Sequence, residues 1–360
     1  MKRVAILTGG GDCPGLNAAI RAIAKPFILE DKTEVIGIAD GFEGLIKRRV
    51  RRLSYDDVSN ILALGGTILG TSNKADPFRW KVGGRELDCS DEVVRYLKEL
   101  GVDVLFCIGG DGTLSIANRL LKKFPRIIAI PKTIDNDLAA TEQTFGFDTA
   151  CNFVMEAIDR LHSTAQSHHR AMVVEVMGRY AGWIALQGGM AGGGDIILIP
   201  ELPFEMEIVL EAVRRRARKG KKFSIVVVAE GARPRGGGLI IKKKVEDSPD
   251  PIRLGGVGNF ISEEIEKNVG CESRVIVLGH LQRGGAPTFF DRILATRYGI
   301  EAVRLARAKD YGRMVALKGG KITSVPIGLA VSRLKLVPKK HPLIMGGMEI
   351  GVSFGVESIT

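Results

Sequence analysis

Pro131-Lys132-Thr133-Ile134-Asp135-Asn136-Asp137 places an ammonium, a hydroxyl and two carboxylates in a turn directly after the apolar run 127–130. A cation for anionic oxygens, a base for a proton and an oxygen ligand for a hard metal thus share one short segment. Such a set can bring phosphate, metal and an acceptor hydroxyl together. A second motif, Gly109-Gly110-Asp111-Gly112-Thr113, follows another apolar run at 104–108, with helix-like residues between the two. The order is strand, glycine turn, helix, strand, acidic turn. A βαβ crossover makes its strands parallel and, where they are neighbours, brings both turns to their carboxyl ends. That edge is where open α/β sheets bind ligands, so Asp111 and Asp135 are expected to line one crevice. Either motif alone also reads as an ordinary turn in which Gly, Asp and Asn supply left-handed or capping conformations. The pair in one crossover unit is read as a site.

The elements that must position these residues follow from patterning. Apolar runs at 4–8, 35–39, 104–108, 127–130, 172–177, 196–199, 225–229 and 275–278 alternate with helical patterns, the signature of parallel α/β sheets. A chain of 360 residues exceeds what one such sheet usually needs. The expected fold class is therefore α/β, with two Rossmann-like lobes of mostly parallel sheet. The division is placed near residue 146: a larger lobe over 1–146 completed by about 270–310, a smaller lobe over 147–269, and a C-terminal extension over 311–360. The first strand leads into Gly9-Gly10-Gly11-Asp12-Cys13-Pro14-Gly15 and a helix beginning near Leu16. Glycine lets backbone approach a phosphate, and a helix N-terminus offers free amides. The segment matches neither GxxxxGK[ST] nor GxGxxG.

Composition narrows the function classes. No apolar stretch reaches the eighteen or so residues that span a bilayer, and the basic start Met1-Lys2-Arg3 is followed by an apolar segment broken at once by glycines. A cytoplasmic protein without membrane partners is expected. Five cysteines, odd in number and without CxxC spacing, indicate neither a disulfide framework nor a zinc site. Cys107 reads as a buried small hydrophobe, and Cys13, in the glycine turn, as a candidate reactive thiol. The net charge of +11 is carried by clusters at 47–52, 214–222 and 242–244 with no aromatics interleaved, which argues for small polyanions and against nucleic acid.

The motifs resemble the phosphofructokinase family. GGGDCPGLNAAIR at 9–21, GGDGT at 109–113, PKTIDND at 131–137, VVEVMGRYAG at 173–182 and LGHLQRGG at 278–285 occur in the family's order and approximate spacing, over residues 1 to about 310. The resemblance implies transfer of a phosphoryl group from ATP to the 1-hydroxyl of fructose 6-phosphate, with Mg2+. The larger lobe would bind nucleotide and the smaller one the sugar phosphate. It implies Asp135 as general base, Thr133 on the moving phosphoryl group, Asp137 positioning the hydroxyl or supporting the metal shell, and Asp111 as metal ligand. Gly11, Gly110, Gly112, Thr113 and Lys132 would meet the donor. Met177, Gly178, Glu230, His280 and Arg283 would hold the sugar phosphate, with Arg179 on the transition-state charge. Arg170 and Arg274 match positions that reach a neighbouring subunit, implying a homotetramer or homodimer. Taken without the resemblance, Glu230 and Arg179 also fit a structural ion pair, and His280 a core histidine.

Departures from the family pattern concern the donor. Asn73 stands where many relatives carry an arginine, and Lys74 follows as a substitute cation with looser geometry. Phe42 replaces a common tyrosine, preserving a stacking face. Pyrophosphate-using relatives generally have Asp in place of Gly112 and a lysine such as Lys132 in the later motif. Gly112 leaves room for an α-phosphate, whereas Lys132 suits a short anionic donor; the steric test is weighted above the electrostatic one, giving ATP, with pyrophosphate as the alternative. The combination resembles a mixed branch of the family, as does the tail 337–355. Effector-site arginines are only partly matched, Arg21 being present while Lys25 and His162 replace others. A non-catalytic nucleotide-binding regulator, and sedoheptulose 7-phosphate as acceptor, are the remaining alternatives.

Overall fold

The computed structural model describes residues 1–238, 241–244 and 252–359. Their strands are β1 (Arg3–Gly9), β2 (Glu34–Ile38), β3 (Val50–Leu53), β4 (Trp80–Val82), β5 (Arg85–Leu87), β6 (Val104–Gly109), β7 (Ile127–Pro131) and β8 (Ala171–Val176). They continue with β9 (Ile196–Leu198), β10 (Ser224–Ala229), β11 (Ile241–Lys244), β12 (Ile252–Leu254), β13 (Ser273–Val277), β14 (Arg313–Lys318) and β15 (Lys321–Pro326). The chain divides into two compact units, Met1–Asp148 with Arg283–Leu334, and Thr149–Gln282 with Lys335–Thr360.

The first unit is built on a seven-stranded sheet of order β15-β14-β7-β6-β1-β2-β3. Its centre is parallel, with β1 paired to both β2 and β6, β6 to β7, and β7 to β14, while β3 and β15 close the edges antiparallel. The chain leaves β1 toward β2 on one side and resumes at β6 on the other, so the order reverses at β1/β6. At such a switch point the connections diverge and leave a crevice outside the carboxyl ends. β6 and β7 are buried along their whole length and β1 from Val4 onward, which is why they read as unbroken apolar runs. Leu7, Leu105, Cys107 and Ile127 belong to the core cluster on one face of this sheet.

The second unit has a four-stranded, all-parallel sheet of order β13-β8-β10-β9. Val173, Ile196, Val226 and Val228 pack there against the helices Met206–Arg218 and Val257–Val269. The eight apolar runs read from sequence all fall on strands of the two parallel sheets.

The stretch 311–360 does not form one extension. β14 pairs parallel with β7 at Arg313↔Ile128 and Met314↔Ala129, and the Gly319-Gly320 turn, with φ of 54° and 73°, returns it as β15. Two glycines with positive φ make the tight turn whose twist suits a hairpin. Residues from Lys335 onward belong to the second unit. The basic runs are laid out as ion pairs: Lys47 with Glu43, Arg48 with Glu99, Arg51 with Asp57, Arg214 with Glu207 and Arg216 with Asp195. Of Lys242 to Lys244 only the backbone strand is described. Among the described residues no helix is long and apolar enough to cross a membrane.

Helix Leu16–Leu29, which leaves the glycine turn, is held by helix Phe289–Arg307 at Gly299. A Cβ there would lie 2.6 Å from Ala22 Cβ and 3.0 Å from Ala19 O. Overpacking a tight contact costs about 1–3 kcal/mol. Gly299→Ala should therefore lower stability by that amount in urea unfolding, and an unchanged midpoint would show that the helices part freely.

Candidate active site

In the first unit the three motifs end β1, β6 and β7 at one sheet edge. Gly9 and Gly109 are register partners, and Thr113 stands over both. A Cβ on Gly9 would lie 2.6 Å from Thr113 Oγ1, and one on Gly109 would collide with the same side chain. These glycines let the first turn of helix Asp111–Leu120 sit directly on the strand ends. Thr113 is thus a buried wedge, while Asp111 and Gly112 are exposed at the helix start. A Cβ on Gly112 would meet nothing within 4 Å.

The glycine turn is held from two sides. Lys132, only 3% exposed, donates from Nζ to the Gly11 carbonyl. Arg283 donates from Nη1 to the Asp12 carbonyl at 3.1 Å and covers Gly11, where a Cβ would come within 2.6 Å of the guanidinium. Burial, and to a smaller degree the Arg283 charge, lowers the Lys132 pKa. Thr71 Oγ1 donates to Gly10 O at 2.6 Å and Gly10 N to Ser72 O at 3.1 Å, which sets exposed Asn73 and Lys74 immediately after a segment bonded to the turn. Gly110 caps the helix beside Lys132 O.

The acidic turn is braced by residues that sequence reasoning did not single out. Asn136 adopts φ 51°; its Oδ1 accepts from Thr144 N at 3.1 Å and its Nδ2 donates to Glu142 O at 3.3 Å. Thr144 Oγ1 donates to Thr133 O at 2.7 Å, and buried Tyr298 donates to Gln143 O at 2.6 Å. Only Asn136 carried a signal, since Asn tolerates left-handed backbone. Thr133 Oγ1 accepts from Asp135 N at 3.0 Å. Burial raises the Asp135 pKa, against the opposing charges of Arg283 and Lys132. Asp137 is pushed up to about 7, by burial first and then by the charge of Asp135, with Asp111 adding to it.

This unit gathers carboxylate charge without a closed metal cage: among the described residues no three His, Cys, Asp or Glu side chains are grouped to ligate a metal. Magnesium rarely uses such a cage, taking one or two carboxylates and keeping water or phosphate oxygens. Exposed Asp111, and Asp137 with a buried Oδ1 lacking a hydrogen-bond partner, fit that donor set.

Two expectations are corrected. Cys13 is fully buried and its thiol is pushed up to about 12 by burial, so it is not a reactive thiolate. Phe42 is 2% exposed within the core cluster and offers no stacking face.

In the second unit Met177, Gly178 and Arg179 follow β8, Glu230 follows β10, and His280 lies in the 3-10 turn Gly279–Arg283 after β13. Gly178 has φ 133°, and the Arg179 guanidinium lies 5.0 Å from the Tyr180 ring centroid. Glu230 N donates to Val176 O at 2.8 Å. Buried Gln282, also missed, accepts from Met177 N at 3.3 Å and donates to Gly279 O at 3.0 Å. Arg170 and Arg274 both pair with Glu272, the former at 2.8 Å. The two units part between Gln282 and Arg283, so Arg283 belongs with the glycine turn.

Glycine turns and carboxylates at the carboxyl ends of parallel strands place the chain among α/β proteins with a crevice at that sheet edge. A family model described as phosphofructokinase matches residues 3–306. The chain is 49% identical to ATP-dependent 6-phosphofructokinase 2 of Clostridium perfringens, over 98% of each chain. It is 50% identical to the pyrophosphate--fructose 6-phosphate 1-phosphotransferase of Amycolatopsis methanolica, over 94% of this chain and 97% of that one. Phosphofructokinase from Saccharomyces cerevisiae superposes with a TM-score of 0.80 at 30% identity, covering 92% of this chain and 45% of that one. The chain belongs to the phosphofructokinase family.

Asp137 carries a stability consequence in the metal-free protein. Its carboxyl stays protonated in the fold up to about 7, while the unfolded chain ionises near its usual value of 3.8. Below both values it costs nothing; as pH rises between them the unfolded state sheds its proton first and stability falls, by up to about 1.4 kcal/mol per pH unit. Asp137→Asn should therefore gain stability over the wild type between pH 4 and 7 and hold the gain above, measured by denaturant unfolding. A difference independent of pH would show that the carboxyl is ionised throughout.

Proposed function

We propose that the protein transfers the terminal phosphoryl group of ATP to the 1-hydroxyl of fructose 6-phosphate, a glycolytic step giving fructose 1,6-bisphosphate and ADP. The observation that carries the donor is the open space over Gly112. An α-phosphate and nucleoside need that space, and a carboxylate fixed there would crowd and repel them.

Asp135 takes the hydroxyl proton as the bond to phosphorus forms. Its raised pKa suits this task, since a base works best when its pKa approaches the working pH. Thr133, whose hydroxyl already shapes the turn at Asp135 N, steadies the transferring oxygen, and Asp137 orients the acceptor hydroxyl. The Gly11 backbone, braced by Lys132 and Arg283, presents its amide to the donor phosphates, with Asn73 and Lys74 beside it. Magnesium, held by Asp111 with Asp137 in support, would neutralise phosphate charge when bound. Met177, Gly178, Glu230 and His280 hold the sugar phosphate, and Arg179 meets the charge that develops on transfer. Arg170 and Arg274 serve a neighbouring subunit in a homotetramer or homodimer. The reading implies a cytoplasmic enzyme.

The second reading takes pyrophosphate as donor, and the ammonium of Lys132 beside Gly11 favours it. Purified protein with fructose 6-phosphate and magnesium should turn over with ATP, and turnover with pyrophosphate alone would reverse the assignment. Gly112→Asp should cut ATP use strongly while leaving the fold intact. Asp135→Asn should lower kcat by about 10²–10⁴, read in a coupled assay; retained activity would remove Asp135 as the base.

A further inference from the structure

The turn that carries Arg179 is fastened by a segment beyond the family match, which ends at residue 306. Gly182 closes that turn, and its amide donates to both oxygens of Glu201, at 3.0 and 3.1 Å. The same carboxylate accepts from Val337 N at 2.8 Å. Glu201 therefore ties the turn to the tail through two backbone amides that no strand or helix satisfies. The next residue repeats the connection: Trp183 Nε1 donates to Lys335 O at 2.7 Å, and the His341 ring meets the indole edge-on, centroids 5.3 Å apart.

The segment is anchored beyond these contacts. His341 Nδ1 accepts from Leu343 N at 3.2 Å and caps helix Pro342–Glu349. Ser353 then lies along β9, exchanging backbone bonds with Ile197 at 2.9 Å and Asp195 at 3.0 Å. The turn itself has little slack. A Cβ at Gly178 would lie 2.9 Å from Ala181 O, one at Gly182 would strike Ile199, and one at Gly231 would strike Arg179 O.

We propose that residues 335–341 are a strap that sets the position of the turn 177–182, with Glu201 and Trp183 as positioning residues for Arg179. This rests on the assignment of Arg179 to the reacting phosphate. Neither Glu201 nor Trp183 touches the reactants; both act through the backbone on either side of Gly182. A misplacement of about 1 Å in a charged group at the reacting centre can cost about 10²-fold in rate, so two amide bonds and an indole bond suffice to matter.

The test is a kinetic double-mutant cycle in the full-length enzyme, with fructose 6-phosphate, magnesium and the active donor. Glu201→Leu removes the oxygens that accept from both amides, and Trp183→Phe keeps a ring but removes the bond to Lys335. Each should lower kcat/KM for fructose 6-phosphate by about tenfold or more, while the donor KM stays within about twofold. In Arg179→Ala, which should itself lower activity, neither change should cause a further loss. Losses that multiply in the Arg179→Ala background would overturn the strap, as would single variants with unchanged kcat/KM beside an impaired Arg179→Ala. An active Arg179→Ala would instead remove the assignment of Arg179 and the strap with it. Thermal unfolding of every variant separates lost folding from lost positioning, and His341→Ala, at the margin of the strap, gives a milder third variant expected to shift kcat/KM in the same sense.

Discussion

Two carboxylates one residue apart, held half-buried in a turn, are the constraint around which the first unit is built. Like charges so placed repel each other and lose hydration: burial raises the pKa of both Asp135 and Asp137, and the Asp135 charge adds to the rise at Asp137. A free loop would relieve them by swinging one side chain into water. The bonds from Asn136 to Thr144 and Glu142, from Thr144 to Thr133 and from Tyr298 to Gln143 prevent that. The bracing holds Asn136 at φ 51° and keeps both carboxyls in place, where a bound cation would offset their charge.

The same logic explains the placement of the cations. Lys132 and Arg283 are close enough to Asp135 to oppose its burial, yet their hydrogen bonds go to the carbonyls of Gly11 and Asp12. Binding those carbonyls fixes the peptide planes of the turn, and a fixed peptide plane fixes the direction of its amide. Electrostatic compensation and geometric preorganisation are thus served by one pair of side chains. Gly9 and Gly109 complete the arrangement by letting Thr113 wedge the helix start onto the strand ends.

Much of this was legible in the sequence. The buried parallel strands read as apolar runs because both faces are covered, and the motifs fell on their carboxyl ends because crossover geometry leaves little alternative. β14 and β15 were not legible, since Arg313–Lys318 is bounded by cations and gains its place by pairing parallel with β7 and antiparallel with β15. Cys13 and Phe42 were misread for a common reason: a residue next to a binding turn is as easily part of its floor as of its face, and burial at these positions comes from distant segments such as Phe145, whose carbonyl accepts from the Cys13 thiol. Tyr298, Gln282 and Glu201 act through bonds to backbone far away in sequence, which no spacing rule encodes.

The lysine of the acidic turn shows what the structure adds to a motif. In the sequence its charge argues for a short, highly anionic donor, with Gly112 arguing the other way on steric grounds. In the fold the Lys132 ammonium is nearly inaccessible and already engaged by the Gly11 carbonyl. A cation in that state contributes field but not a free hydrogen-bonding head, and its lowered pKa reflects burial among groups it cannot leave. The space over Gly112, by contrast, is unfilled by any neighbour. A diffuse field acts on any polyphosphate, since every donor carries charge at this turn. An opening next to the helix start admits the longer donor that a carboxylate fixed there would crowd. In the proposed reading the steric feature is the one that bears on the donor, because only it separates a phosphate chain that ends here from one that continues into a nucleoside.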